Sequence, residues 1–154
     1  MENINKLSKF LISAKINTYA SVGESEEKEF TDGGKGFEFI EGEFKYKDRY
    51  FGSKTFIGEE IVFQNEKSIW GMNYYGGIVS ENVPFDKVYN FLKKALSKVK
   101  EKKPFRGPDN FKEDNFKYIN ESEGSVDNFE GKETILYKDK KVYKLKYHGG
   151  LIKK

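Results

Sequence analysis

The sequence predicts an α+β fold, with antiparallel sheet built from two pseudo-repeated helix-plus-hairpin units that share one core. Three observations carry this prediction. The 154-residue chain contains 14 Phe, 10 Tyr and 1 Trp, and aromatic side chains favour strands. A segment of 24 residues occurs twice, and an amphipathic helical pattern precedes each copy. The length suits a single domain, residues 1–154.

The repeated segment spans residues 56–79 and 129–152, at an offset of 73 residues. The first copy reads FIGEEIVFQNEKSIWGMNYYGGIV and the second reads FEGKETILYKDKKVYKLKYHGGLI. Seven of the 24 aligned pairs are identical, and most of the others keep their chemical character. With a one-residue shift, the match reaches back to FKY triplets that begin at positions 44 and 116. Descent from one ancestral unit explains this similarity.

Each copy is typical of a β-hairpin. A run of β-branched and aromatic residues meets a polar turn, Asn65-Glu66 or Lys138-Asp139, and a second strand follows. Alternation along that second strand assigns one face to the core. The predicted core face carries Trp70, Met72 and Tyr74 in the first copy and Tyr143, Leu145 and Tyr147 in the second. The opposite face of the second copy carries Val142, Lys144, Lys146 and His148.

Two helices are predicted from apolar side chains at i, i+3, i+4 and i+7 spacing. These side chains are Leu7, Phe10, Leu11 and Ala14 in the first helix, and Val88, Phe91, Leu92, Ala95, Leu96 and Val99 in the second. The second helix is expected to begin at Pro84 and to end in KVKEKK, whose lysines suit the negative end of the helix dipole.

The units therefore cover about residues 1–80 and 81–154, with further strands around Phe37–Ile40 and Glu43–Phe51. Neither unit has enough strands to bury both its helix and its sheet. We therefore expect the units to share one core about a pseudo-two-fold axis.

The composition excludes several kinds of site. The absence of cysteine excludes disulfides, thiolate metal sites and cysteine nucleophiles, and a single histidine excludes multi-histidine metal centres. No apolar run approaches the ~20 residues of a membrane span. We expect a cytoplasmic protein, monomeric or weakly dimeric, with no metal, no cofactor and no membrane partner.

The charge is unevenly distributed. Residues 1–83 hold 10 Lys and Arg against 14 Asp and Glu, whereas residues 84–154 hold 18 against 11. This asymmetry favours an anionic partner for the C-terminal half, or mutual attraction of the two halves.

The motifs TYAS after the first helix, GEEIVFQNEKSIWGMNYYGG, FRGP after the second helix and the closing YHGG span nearly the whole chain. Together they resemble an uncharacterised bacterial family, a domain of unknown function that occurs alone or fused to XRE-type helix-turn-helix regulators. The resemblance implies no assigned activity. The acidic segment SVGESEEKEFTDGGKG departs from the glycine- and serine-rich segment of the family. We also expect no room here for an attached helix-turn-helix, so a regulatory role is not carried over.

The two Tyr-X-Gly-Gly phrases supply most of the predicted site. Tyr75 and His148 stand at equivalent positions on the face opposite the core, where they would line a ligand cleft between the units. Their neighbouring glycines lie at strand ends, where glycine permits positive φ or a close backbone approach: Gly76, Gly77, Gly149 and Gly150. A structural cause for the glycines is the alternative to a ligand contact. A histidine without an identifiable nucleophile argues against catalysis.

The segment FRGPDNF, Phe105–Phe111, joins the second helix to the second hairpin unit. Arg106 is a candidate anion contact because its guanidinium group offers bidentate geometry. The alternative is a turn with a surface arginine.

Other patterns are weaker. DGGKG at Asp32–Gly36 lacks Walker spacing and is typical of a mobile loop. The adjacent Glu59 and Glu60 would point to opposite faces of a strand. Glu60 and Glu133 would approach each other across the pseudo-axis, although common descent also explains their equivalence.

The predicted function is non-enzymatic: binding or sensing of a small molecule, with an anion as one option. The predicted site comprises Tyr75, Gly76, Gly77, Arg106, His148, Gly149 and Gly150. The alternative is a nucleic-acid-associated protein that uses the basic C-terminal face, although alternation turns its aromatic rings inward, away from bases. A hydrolase acting through scattered carboxylates ranks last.

Overall fold

The computed structural model describes residues 2–20 and 26–153. Over this range the chain forms two helices and nine strands. The helices are α1 (Glu2–Ile16) and α2 (Phe85–Leu96). The strands are β1 (Lys28–Glu29), β2 (Lys35–Glu41), β3 (Phe44–Gly52), β4 (Thr55–Gln64), β5 (Lys67–Ile78), β6 (Asn110–Glu113), β7 (Phe116–Ser125), β8 (Asn128–Tyr137) and β9 (Lys140–Leu151).

The strands form one antiparallel sheet in the order β1-β2-β3-β4-β5-β9-β8-β7-β6. The predicted α+β class with antiparallel sheet is confirmed. Strands β5 and β9 pair at the centre, where Tyr74 lies opposite Tyr147. Each half of the sheet runs outward from this central pair. The strands at both edges are short, with two residues in β1 and four in β6.

The two predicted polar turns close their hairpins. Asn65 and Glu66 have φ of 48° and 64°, and Lys138 and Asp139 have φ of 47° and 64°. Two consecutive left-handed residues are typical of a type I′ turn, whose twist matches that of the flanking strands. The turn therefore sets the register of each hairpin.

A bulge interrupts each of these hairpins. The register shifts between Val62 and Phe63 in β4 and between Ile135 and Leu136 in β8. Val142 is the extra residue of the second bulge and is 1% exposed. Its predicted outward orientation is therefore wrong, because an extra residue interrupts the alternation of a strand.

One hydrophobic core joins the helices and the sheet. The residues predicted for the core face of the two hairpins are all buried: Trp70, Met72, Tyr74, Tyr143, Leu145 and Tyr147. Trp70 stacks on Phe129, with ring centroids 5.7 Å apart, and its indole N–H donates to the carbonyl oxygen of Val126 at 2.9 Å. The predicted apolar faces of both helices are buried in the same core.

Helix α2 ends earlier than predicted. Pro84 directly precedes it, but its last residue is Leu96, before KVKEKK. The amide of Lys98 donates to the carbonyl oxygen of Ala95, and Lys103 donates to Lys100, so the segment turns instead of continuing the helix. Val99 is buried beyond the helix end.

Candidate functional site

Tyr75 and His148 line one broad depression of about 920 Å³. Tyr75 is 61% exposed and lies opposite Lys146, while His148 is exposed and lies opposite Asn73. The structure therefore brings these two predicted site residues together on an open surface.

The four glycines of the Tyr-X-Gly-Gly phrases lie where backbones approach closely: Gly76, Gly77, Gly149 and Gly150. A Cβ atom at Gly76 would lie 2.2 Å from the carbonyl oxygen of Lys144, and one at Gly149 would lie 2.3 Å from that of Gly71. Gly77 also has φ of 151°. Backbone packing accounts for glycine at these positions.

Arg106 lies in the core, with 6% of its surface exposed. Its Nε and Nη2 atoms lie 3.0 and 2.9 Å from Oε1 of Glu133. The preceding Phe105 is fully buried and stacks on Phe129, with centroids 4.0 Å apart. The alternative of a surface arginine is wrong, because this loop is anchored in the core. Arg106 lines a different cavity from Tyr75 and His148.

Arg106 belongs to a cluster that we call the second polar group. Its members are Arg106, Tyr118, Asn120, Glu133, Tyr143 and Tyr147. Glu133 also accepts hydrogen bonds from the hydroxyls of Tyr118 at 2.5 Å and Tyr143 at 3.3 Å. One arginine and two tyrosines thus stabilise a carboxylate that is 0% exposed.

The loop of residues 104–108 is hydrogen-bonded to the second polar group. Tyr147 donates to Oδ1 of Asn120 at 2.8 Å, and Nδ2 of Asn120 donates to the carbonyl oxygen of Gly107 at 3.0 Å. The Gly107 amide donates to the Tyr118 hydroxyl at 3.1 Å. Asn120 is therefore bonded through both its amide oxygen and its amide nitrogen.

A similar cluster, the first polar group, lies in the other half of the sheet. Its members are Lys15, Tyr46, Asp48, Glu60 and Tyr74. Lys15 of α1 forms a buried ion pair with Glu60 of β4. Tyr74 of β5 donates to Oδ1 of Asp48 of β3 at 2.5 Å. Burial lowers the pKa of Lys15, while the adjacent Glu60 carboxylate opposes that change.

The alignment of the two similar sequence segments pairs members of the two polar groups. Tyr46, Asp48, Glu60 and Tyr74 align respectively with Tyr118, Asn120, Glu133 and Tyr147. Arg106 reaches from the second group towards the first, since its guanidinium carbon lies 5.5 Å from the centroid of the Tyr74 ring. Asp48 of the first polar group therefore stands at the position aligned with Asn120 of the second.

Asp48 is the electrostatically unusual member of the first polar group. Burial raises its pKa from 3.8 to about 7, and the charge of Glu60 acts in the same direction. The hydrogen bond from Tyr74 and the charges of Lys15 and Arg106 oppose this rise. Asp48 thus changes its charge near neutral pH.

A cleft of about 240 Å³ opens beside Asp48. Its buried floor consists of Asp48, Tyr74 and Arg106. Aromatic side chains form its walls: Tyr19, Tyr50, Phe56, Phe85 and Tyr89. Its rim includes Glu27, Lys35 and Lys93. We call this cavity the cleft.

Hydrogen bonds and ring contacts hold the walls of the cleft. The Tyr89 hydroxyl lies 2.9 and 3.0 Å from the carbonyl oxygens of Ser53 and Lys54, to which it donates. Phe56 lies among three tyrosine rings, with centroid distances of 6.4, 5.9 and 6.1 Å to Tyr50, Tyr74 and Tyr89. The walls are therefore formed before any ligand enters.

Sequence reasoning missed Asp48, Lys15 and the tyrosines of the cleft. One signal was present, because strand alternation from the inward Val62 places Glu60 inward as well. A carboxylate on the core face of a strand needs a partner, which indicates a buried polar cluster. No local pattern identified the partner, since Lys15 lies 45 residues from Glu60 in the chain.

Two further properties concern residues 2–20 and 26–153. Within these ranges, no cluster of three or more histidine, aspartate or glutamate side chains is arranged to hold a metal ion. Neither described helix has the length and apolar character needed to cross a membrane.

Residues 48–152 match the family described as "Domain of unknown function (DUF5680)". The match covers about two thirds of the chain, so this protein belongs to that family. No curated protein and no solved structure matches the chain.

Proposed function

We propose that this protein binds or senses a small molecule, which occupies the cleft between the first polar group and helix α2. The observation that carries this proposal is a preformed aromatic cavity of about 240 Å³ with a buried aspartate in its floor. Ligand sites are typically concave and apolar, with a few convergent polar groups of perturbed pKa.

Binding rather than catalysis is proposed because the other buried charges near the cleft already form ion pairs. Glu60 is paired with Lys15, and Glu133 is paired with Arg106. Within residues 2–20 and 26–153, Asp48 therefore has no second buried acid free of an ion pair beside it for general acid–base work. The cytoplasmic location, bacterial origin and monomeric or weakly dimeric state stay predictions from the sequence.

We infer also that the sheet arose by duplication of one unit, and that both units share the core about a pseudo-two-fold axis. Three features support this inference. The two bulges lie at positions 73 residues apart, as do the type I′ turns. Tyr74 pairs with its own counterpart, Tyr147, at the centre of the sheet. The polar groups repeat the same residue positions, so the cleft lies where one copy diverged from the other.

The location of the binding site is tested by NMR fragment screening of the ¹⁵N-labelled protein. We expect bound fragments to shift the amide resonances of Tyr50, Phe56 and Tyr89, and Tyr89→Ala to weaken binding by tenfold or more. Tyr75→Ala, which removes an exposed ring from the broad depression, is the matched control and is expected to leave affinity unchanged. Circular dichroism checks that both variants fold.

Shifts confined to Tyr75, Lys146 and His148 would move the site to the broad depression and overturn the assignment to the cleft. A chemically diverse fragment set that shifts neither region would refute small-molecule binding by this protein.

A further inference from the structure

We propose that the ligand of the cleft is a protonated amine, whose ammonium group pairs with the Asp48 carboxylate while its apolar part contacts the aromatic walls. This inference rests on the proposed function, since it names the chemical class of the molecule that the cleft binds.

The buried carboxylates of the two polar groups outnumber the buried cations. Each buried cation of the two polar groups has its own carboxylate: Lys15 pairs with Glu60, and Arg106 pairs with Glu133. Asp48 is a third acid beside these two pairs, with 6% of its surface exposed. When these two cations and three carboxylates are all ionised, the two polar groups carry one uncompensated negative charge. The unpaired carboxylate is that of Asp48, which lines the cleft.

Asp48 has a hydrogen-bond donor but no ion-pair partner among the described residues. Tyr74 donates a neutral hydrogen bond to Oδ1 at 2.5 Å. Among residues 2–20 and 26–153, no lysine or arginine lies within ion-pairing distance of Asp48, although Lys15 and Arg106 each form an ion pair nearby. A buried carboxylate is stabilised most by a cation with hydrogen bonds to donate, which an ammonium group supplies.

Aromatic rings surround the path to Asp48. Four rings surround the approach to Asp48 and contact one another through Phe56: Tyr50, Phe56, Tyr74 and Tyr89. The face of an aromatic ring carries negative electrostatic potential, so it attracts ammonium groups. A carboxylate behind aromatic walls is suited to an organic cation.

Two of the cations that line the cleft, Arg106 and Lys35, already form ion pairs, and the third, Lys93, lies exposed at the rim. Arg106 directs Nε and Nη2 to Glu133. Lys35 lies 3.7 Å from carboxylate oxygens of Glu27 and Glu29. The Lys93 ammonium lies 5.7 Å from the centroid of the Tyr19 ring. Because Asp48 repels a second negative charge, the floor favours a cationic ligand over the anion that the sequence suggested.

Binding of the amine is linked to the proton on Asp48. The charged and titratable groups that face this carboxyl are Tyr46 and Tyr50 on β3, Glu60 on β4, Tyr74 on β5, Lys15 on α1, Tyr19 after α1 and Arg106 on the 104–108 loop. The pKa of Asp48, about 7, means that the ionised fraction rises from about one tenth at pH 6 to about nine tenths at pH 8. Amine affinity is therefore expected to rise about tenfold between these pH values.

The test compares three molecules that share a phenyl ring and a two-carbon arm: phenethylamine, phenethyl alcohol and hydrocinnamate. Titration calorimetry and cleft amide shifts are measured with each at pH 6 and pH 8. We expect the amine to bind at least tenfold more tightly than the other two at pH 8, and only its affinity to rise with pH.

The variant that isolates the charge is Asp48→Asn, and the control is Glu59→Gln, which removes an exposed carboxylate from the same sheet. Asp48→Asn is expected to fold, because Asn120 already accepts a hydrogen bond from Tyr147 at the aligned position. It should reduce phenethylamine affinity at least tenfold and abolish the pH dependence, while Glu59→Gln should change neither.

The outcomes separate the two proposals. Equal binding of the alcohol or the carboxylate, or unchanged amine binding by Asp48→Asn, would overturn amine recognition and leave small-molecule binding in place. If no compound from a wider panel of amines, alcohols and carboxylates shifts the cleft resonances, both proposals fail.

Discussion

The two polar groups occupy aligned positions on the two halves of one sheet, and each borders a cavity, but their aligned residues differ. In the second, Asn120 lines the broad depression and hydrogen-bonds to Tyr147 and to the carbonyl oxygen of Gly107 on the 104–108 loop. In the first, Asp48 is bonded by Tyr74 and lines the cleft. The difference teaches that the same strand framework serves stability on one side and presents an ionisable group on the other.

The largest expected effect comes from removing the cation of the second polar group. Arg106→Met leaves Glu133 buried without its cation, and breaking such a pair costs roughly 3–5 kcal/mol of unfolding free energy. Urea denaturation followed by the fluorescence of Trp70, the single tryptophan, measures this loss.

The control is Arg49→Met. Arg49 pairs with Asp32 at the surface, so its loss is expected to cost about 1 kcal/mol or less. Equal losses for the two variants would contradict the view that the second polar group depends on its buried ion pair.

The next largest effect is expected in the pH dependence of the unfolding free energy, to which Asp48 contributes and Asn120 does not. Asp48 has a pKa of about 7 in the folded protein and about 3.8 in the unfolded chain. Between these values the unfolded chain has released the proton while the folded protein retains it. The contribution of Asp48 to the unfolding free energy therefore falls as pH rises from about 4 to about 7.

Asp48→Asn removes that penalty. The variant is expected to be more stable than the natural chain by roughly 2–4 kcal/mol at pH 8 and to differ little at pH 4. Urea unfolding at pH 4, 6 and 8 measures the difference. A constant difference across this range would show that Asp48 does not titrate there.

The reciprocal change, Asn120→Asp, serves as the matched control. It replaces the Nδ2 donor with an oxygen that faces the carbonyl oxygen of Gly107, so it should destabilise the protein at pH 8, in the opposite direction to Asp48→Asn. If both changes had the same sign, the two groups would not differ as described.

The smallest expected effects concern the glycines beneath the two central tyrosines. A Cβ at Gly58 would lie 2.4 Å from the Tyr74 hydroxyl, and one at Gly131 would lie 2.3 Å from the Tyr147 hydroxyl. Gly58→Ala and Gly131→Ala each displace a tyrosine and should cost about 1–3 kcal/mol, measured by thermal or urea unfolding. If one of these variants lost much more unfolding free energy than the other, the two tyrosines would not be packed alike.

Local patterns predicted a large part of the fold. The helix faces around Leu11 and Leu92 and the hairpin face around Tyr74 follow from periodicity, because burial selects apolar side chains at fixed spacing. The errors have local causes as well. Val142 is buried because a bulge interrupts alternation, and α2 ends at Leu96 because the following segment makes its own turn.

The candidate site was predicted less well because its parts come from distant segments. Asp48 on β3, Tyr89 on α2 and Arg106 on the 104–108 loop line one cavity, and no spacing in the sequence encodes that arrangement. The repeat drew attention to its most similar residues, Gly76 and Gly149, which backbone packing explains. The two aligned segments differ at Asp48 and Asn120, and this pair carries the electrostatic difference between the two polar groups.

The short edge strands have a consequence for behaviour in solution. A wide sheet rich in aromatic residues is prone to aggregation if its borders offer many unpaired backbone amides to another chain. Here the outermost strands pair only with residues 35–36 of β2 and 116–119 of β7, so another chain could pair with the longer remainder of each of these two strands.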